Sequence, residues 1–211
     1  MKLDFFERMR RRRLSAALAA LFFCWLTNQS AGAADVGDRG FAGQLLVASE
    51  EMKDPRFAET VIYLVRHNAE GTLGLVINRP VAKGPIDDLL KGFGAPAKGS
   101  KREVVIHYGG PVGTRQGFVL HSDDVKLEDT LVVKDGIAMT SDVKMIETIA
   151  AGRGPRQALV MLGYTGWAPG QLAAEIRNQA WFLIPADKTI IFGKDAEKKW
   201  TQATERRQIP L

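Results

Sequence analysis

Two short apolar runs flank a polar turn between residues 61 and 80, and this pattern constrains the fold more than any other part of the sequence. The runs are Val61 to Val65 and Leu73 to Ile77, and the turn between them contains Asn68 and Gly71. The second run ends at Asn78-Arg79-Pro80, where the proline removes a backbone donor and restricts the residue before it. The segment therefore predicts a β-hairpin with a defined exit.

The other apolar runs predict that strands cluster early in the chain and helices cluster late. The predicted strands are Gln44 to Ser49, Glu103 to Tyr108, Gly117 to His121, Thr130 to Val133, Ile137 to Met139, Gln157 to Gly163 and Ala180 to Ile184. The predicted helices are Ile86 to Leu90, a helix that Ser141 caps and Gly152 ends, Pro169 to Arg177, and a C-terminal helix from about Asp195 that places Trp200 against the body. This order favours a mixed α+β protein over a regular βαβ array.

The first 33 residues have the composition of a secretory signal peptide. A basic region up to Arg13 precedes an apolar run from Leu14 to Leu26, and Ala31-Gly32-Ala33 fits a signal-peptidase site. The run would be about 20 Å long as a helix, whereas a bilayer core is roughly 30 Å thick. We therefore predict cleavage after Ala33, export to the periplasm, no stable membrane span after cleavage, and a single domain over residues 34–211. The alternatives are an uncleaved anchor and a cytoplasmic protein with a misassigned start.

Charge and cysteine content exclude several classes of function for the predicted domain. Residues 34–211 carry 23 basic and 22 acidic side chains, because six of the basic residues lie in the leader. This near balance lacks the positive charge expected of a nucleic-acid-binding surface, so nucleic acid is not an expected partner. The single cysteine is Cys24 in the leader, so the domain has no disulfide, thiolate metal site or cysteine nucleophile.

Three histidines, His67, His107 and His121, lie at the ends of predicted strands. None has a second ligand at helical spacing, so we predict no metal site and no catalytic residue. Hydrogen-bonded turn histidines are the ordinary interpretation of this placement. The functional alternative is a hydrolase or transferase that uses His67 or His121 with a carboxylate.

Two glycine-containing motifs are candidate binding surfaces. Gly109-Gly110-Pro111 can present backbone N–H groups to an anion, although a tight turn explains the same residues and no phosphate-loop lysine follows. Gly163 to Trp167 follow a predicted buried strand and precede a predicted helix at Pro169, which is where α/β proteins bind ligands. Tyr164 and Trp167 would provide aromatic surface there, or alternatively cover the core. Neither motif indicates a cofactor.

The same motifs carry a family resemblance. His67-Asn68, Gly109 to Val112 and Gly163 to Trp167 resemble the AlgH (YqgE) family over about residues 43–205, and His121 also matches its pattern. The resemblance implies a mixed, mostly antiparallel sheet folded into a partial barrel with helices packed outside. It implies no established activity. The leader departs from typical members of that family.

These observations together favour a non-catalytic binding or accessory domain with a protein or small-molecule partner and no cofactor. Regulation of transcription is an alternative that follows only by analogy with the family's namesake. A histidine-dependent hydrolase or transferase is a second alternative, and no pattern indicates an oligomeric state. The candidate binding residues are His67, Asn78, Arg79, Gly109, Gly110, His121, Tyr164 and Trp167.

Overall fold

The computed structural model describes residues 40–207, so the predicted leader and its cleavage site lie outside the described residues. The strands in this range are β1 Gln44–Ala48, β2 Val61–Asn68, β3 Gly71–Val76, β4 Pro80–Pro85, β5 Glu103–Tyr108, β6 Val112–Ser122, β7 Leu131–Lys134, β8 Ile137–Thr140, β9 Ala158–Trp167 and β10 Trp181–Pro185. The helices are α1 Ile86–Gly92, α2 Val143–Ala150, α3 Gln171–Arg177, α4 Lys188–Ile191 and α5 Lys198–Arg207.

One mixed sheet organises the domain. Its main path runs β10-β1-β2-β3-β9-β6-β8-β7, with antiparallel pairing throughout. β5 pairs with β9 in parallel, and β4 pairs with the other side of β5. The mostly antiparallel sheet curls into a half-barrel with a few helices, so the predicted fold class is confirmed. β9 is the hub, because it pairs with three other strands.

Alternation along the central strands buries two apolar layers, one on each face of the sheet. On β2, Val61, Tyr63 and Val65 belong to an inner layer that α4 and α5 also enter. Their neighbours Ile62 and Leu64 belong to an outer layer, which includes residues of α3 and β10. The alternation of side chains along β2 therefore gives each face of the sheet its own apolar layer. Helices α4 and α5 pack on one face, and α3 packs on the other.

The predicted hairpin is confirmed, and it leads into a strand that the sequence did not reveal. β2 and β3 pair on either side of a two-residue turn at positions 69–70. After the exit residues, Pro80 begins β4, which also ends at a proline, Pro85. Prolines normally argue against a strand, but β4 pairs with β5 alone and an edge strand tolerates missing donors.

The predicted end of the buried strand at Gly163 is wrong. β9 continues through Gly163 to Trp167, because these residues pair with β3 and β6. The following helix begins at Gln171 and not at Pro169, with Gly170 in a left-handed conformation (φ 74°) as the N-cap. The glycines at 163 and 166 favour a loop locally, but pairing with strands distant in sequence keeps this segment extended.

The predicted cap of α2 is also wrong. Asp142 caps α2, since its carboxylate accepts a 2.8 Å hydrogen bond from the backbone N–H of Lys144. Ser141 instead donates to the Asp129 carboxylate. The C-terminal helix is confirmed with a later start, and its Trp200 packs on the inner layer as predicted.

Candidate functional site

A cavity of about 510 Å³ opens on the outer face of the sheet beside the end of β9. It is lined by the loop at positions 51–57, by the last residues of β9, by α3 and by the start of β10. We call it the indole cavity, because the side chains of Trp167 and Trp181 line it together. Its volume lies within the range of roughly 300–1,000 Å³ that is usual for small-molecule sites.

A single carboxylate organises the floor of the indole cavity. Glu175 Oε2 accepts a 2.9 Å hydrogen bond from each indole Nε1–H, of Trp167 and of Trp181. Glu175 Oε1 accepts a third, from Gln171 Nε2 at 2.9 Å. Gln171 and Glu175 lie one helical turn apart on α3, so their side chains share a face. This network fixes both indole rings, whose planes meet at 85° with centroids 6.3 Å apart.

An ion pair and an aromatic ring form the outer wall. Arg56 Nη2 lies 2.6 Å from Asp54 Oδ2. The hydrogen bonds that Arg56 donates hold the pKa of the Asp54 carboxyl below its usual value. The Arg56 guanidinium also lies 5.8 Å from the centroid of the Phe57 ring. Phe57 in turn packs edge-on against Trp181, with centroids 5.6 Å apart. The wall is therefore continuous with the floor.

Asn78 and Arg79, two of the predicted binding residues, support this wall from behind. Asn78 Nδ2 donates to the Glu59 carbonyl at 2.8 Å, and Asn78 Oδ1 accepts from the Val61 N–H at 3.0 Å. Arg79 Nη2 donates to the carbonyl of Ala58 at 2.6 Å. Glu59 has a left-handed backbone (φ 53°), which costs energy for a residue with a side chain. The two side chains thus hold the end of the cavity loop in a shape it would not adopt alone.

Gly109 and Gly110 serve close backbone packing in the structure. A Cβ atom at Gly109 would overlap the carbonyl oxygen of Gly163, and one at Gly110 would overlap the Tyr164 carbonyl group. The turn therefore lies directly on β9, and the next residue, Pro111, lines the indole cavity. Only glycine allows this approach.

His67 lies on the outer face near the cavity but not in its lining. It pairs with Thr72, which pairs with Trp167, so these three side chains share a face across adjacent strands. Two strand spacings of roughly 4.8 Å put His67 about 10 Å from Trp167. His67 Nδ1 lies 2.7 Å from Thr72 Oγ1, and the ring contacts Phe41 with centroids 4.5 Å apart.

His121 lies at the opposite end of β9 and is fully buried. It pairs with Ala158, nine residues along the strand from Trp167, which corresponds to about 30 Å. Its Nδ1 lies 2.9 Å from the Ser122 carbonyl and must donate, so its Nε2 accepts from the Thr140 hydroxyl. Burial lowers the pKa of His121, which favours the neutral form of the ring. The structure therefore does not bring His67 and His121 into one site.

Tyr164 and Trp167 lie on opposite faces of β9, although the sequence placed them on one surface. Tyr164 packs edge-on against Phe118 in the inner layer, with centroids 5.9 Å apart. Trp167 belongs to the outer layer. The three-residue separation within a strand produces this result, because side chains alternate between faces.

Sequence reasoning missed a buried lysine. Lys199 on α5 is 1% exposed, and its Nζ donates to the carbonyls of Ile77 at 3.0 Å and Ile191 at 2.7 Å. No carboxylate among residues 40–207 forms an ion pair with it. Burial lowers the pKa of Lys199 to about 8. A lysine inside a charged helix gives no sequence signal for burial.

The described part of the chain has neither a metal-ligand cluster nor a membrane-spanning helix. Residues 40–207 contain no group of three or more His, Cys, Asp or Glu side chains arranged to hold a metal ion. In the same range, no helix has the length and hydropathy needed to cross a membrane.

Comparisons with known proteins agree with this architecture. Residues 45–211 match the family model DUF179, described as AlgH-like. A UPF0301 protein of Methylococcus capsulatus is 45% identical over 175 residues, covering 83% of this chain and 96% of that protein. The solution structure of AlgH from Pseudomonas aeruginosa is similar with a TM-score of 0.70 and 36% identity, over 85% of this chain and 94% of that one. A crystal structure from Corynebacterium diphtheriae, at 21% identity and a TM-score of 0.65, covers 83% and 96% and shares the fold.

Proposed function

The chain belongs to the AlgH-like family, and we propose that it is a binding domain whose ligand site is the indole cavity. The family is one of uncharacterised function, so the proposal rests on the site and not on the relatives. The observation that carries it is the floor network, in which Glu175 fixes two indole rings inside a concave space of ligand size. Ordered aromatic rings with few convergent polar groups are typical of small-molecule sites.

The placement of the predicted residues supports binding over histidine-dependent catalysis. His67 and His121 are separated by the length of β9, and both ring nitrogens of His121 are already in hydrogen bonds. Asn78, Arg79 and the Gly109-Gly110 turn surround the cavity as supports. A small organic molecule is therefore the partner we propose.

A screen of small fragments with a blocking variant tests the proposal. Asn178 is exposed at the cavity, directly after α3, so Asn178→Phe introduces a ring that fills its mouth. Arg177→Phe introduces the same ring one residue away, outside the lining. In ¹H–¹⁵N spectra, fragments should shift the indole signals of Trp167 and Trp181 in the unmodified chain and in Arg177→Phe, but not in Asn178→Phe.

Two results would refute this function. In one, no fragment shifts either indole signal of the unmodified chain. In the other, fragments bind Asn178→Phe as tightly as the unmodified chain, which would place their site elsewhere.

We also propose that the domain is exported, on the composition of the leader. The basic region up to Arg13, the apolar run from Leu14 to Leu26 and the small residues before Ala34 support this. Mass spectrometry of periplasmic and cytoplasmic fractions should find the mature N-terminus at Ala34 in the periplasm. An intact N-terminus in the cytoplasmic fraction would refute export and make nucleic-acid binding the next test.

A further inference from the structure

We propose that the indole cavity takes an organic cation, an amine or guanidine carried on an apolar body; this inference rests on the proposed function. Glu175 is the starting point. Its carboxylate accepts hydrogen bonds from Trp167, Trp181 and Gln171, and all three donors are neutral. No Lys or Arg among residues 40–207 forms an ion pair with it. The floor therefore carries a negative charge that has no cation opposite it.

The Glu175 carboxylate also retains capacity for a ligand. A carboxylate has roughly four acceptor positions, and the protein uses three of them. A ligand N–H⁺ group at the remaining position would form a charge-assisted hydrogen bond, which is roughly twice as strong as a neutral one. The ligand would thereby provide the missing positive charge.

The aromatic walls favour the same class of ligand. Three aromatic side chains line the cavity, Phe57, Trp167 and Trp181, and the faces of aromatic rings attract cations within about 6 Å. The chain already places one cation on this surface, since the Arg56 guanidinium lies 5.8 Å from the Phe57 centroid. The cavity of about 510 Å³ is much larger than an ammonium group, so an apolar body must fill the rest.

The other charged groups of the cavity do not reverse this preference. Asp54 and Arg56 neutralise each other in their ion pair. Glu51 and Lys53 are exposed, and their opposite charges balance. An anionic ligand would therefore meet Glu175 uncompensated and would be repelled.

Three compounds that share one ring separate the possible ligand classes. Benzylammonium, benzyl alcohol and benzoate would each be titrated into the full chain while the indole signals of Trp167 and Trp181 are followed. Trp200 donates its indole N–H to the Ala48 carbonyl, outside the cavity lining, and serves as the internal reference. We expect benzylammonium to bind about tenfold more tightly than benzyl alcohol. Benzoate should shift neither signal.

A charge variant then assigns the preference to the floor. Glu175→Gln should weaken benzylammonium binding about tenfold and leave benzyl alcohol within about twofold. Glu128→Gln removes the same charge from an exposed turn after β6, whose end pairs with the start of β9 away from Trp167, and should change neither affinity. The titrations of the three compounds into the unmodified chain need no variant, so they test the preference for a cation even if Glu175→Gln fails to fold.

Either of two contrary outcomes overturns the cation inference. If benzyl alcohol or benzoate binds as tightly as benzylammonium at the two indoles, the cavity is a ligand site but the cation inference is wrong. If none of the three compounds shifts Trp167 or Trp181, the cation inference is also wrong, and the fragment screen with Asn178→Phe decides separately whether the cavity binds any ligand.

Discussion

Lys199 gives the sharpest energetic prediction of the structure, because its ammonium group is buried without a counter-ion among the described residues. Burial lowers its pKa from the ordinary 10.5 to about 8. The difference between these values corresponds to about 3 kcal/mol of unfolding free energy. Below about pH 8 the folded protein carries this cost in full. Between about pH 8 and about pH 10.5 the unfolded chain binds the proton that the folded protein has lost, so stability rises with pH.

The variant Lys199→Met isolates this contribution from all other titrating groups. Urea unfolding of both proteins would be followed by circular dichroism between about pH 7 and about pH 9.5. Over this window the unmodified protein should gain about 2 kcal/mol of stability relative to Lys199→Met. The comparison at one pH is less informative, since methionine removes the buried charge but also leaves the Ile77 and Ile191 carbonyls without a donor. Parallel pH curves for the two proteins would refute the reasoning.

Two further substitutions test the inner layer and the cavity loop. Tyr63→Phe removes a buried hydroxyl that has no hydrogen-bond partner in the described structure, so unfolding in urea should show a gain of about 1 kcal/mol; a clear loss would reveal a partner for that hydroxyl. Asn78→Ala should cost about 1–2 kcal/mol and speed hydrogen exchange at the Val61 amide, because two hydrogen bonds to the loop are lost. Asn68→Ala, which removes one bond in an exposed turn, is the matched control and should cost less.

The sequence predicted most strands correctly because their hydrophobic runs are local signals. The β2–β3 hairpin and the run at the start of β9 are examples, since their apolar residues are contiguous and bounded by turns. β4 was missed because its burial is slight and it contains two prolines. The end of β9 was misplaced because pairing with β3 and β6, distant in sequence, determines it.

The candidate site was predicted less well than the fold. Trp167 was identified as a possible ligand surface, and it does line the cavity. Glu175 was not, because a glutamate on a short helix is ordinary until Trp181 and Trp167 are seen to converge on it. Phe57 was missed for the same reason, since its role depends on its contact with the distant Trp181. Arg56 was missed because its contacts with Asp54 and Phe57 are local to an exposed loop.

Trp167 belongs both to a family motif and to the cavity floor, but the other motif residues and the carboxylate of Glu175 occupy different parts of the molecule. Asn78 and Arg79 fix the loop, and Gly109 and Gly110 let the β5–β6 turn lie against β9. These contacts determine the path of the backbone, and a few adjacent residues in a sequence motif are enough to specify it. The cavity floor instead joins β9, α3 and β10 through Glu175. Substitutions at Asn78, Arg79, Gly109 or Gly110 should consequently change the free energy of unfolding and the shape of the loop. Substitutions at Glu175 should instead change which ligand the cavity binds. Comparing the two sets of variants distinguishes residues that support the fold from residues that bind the ligand.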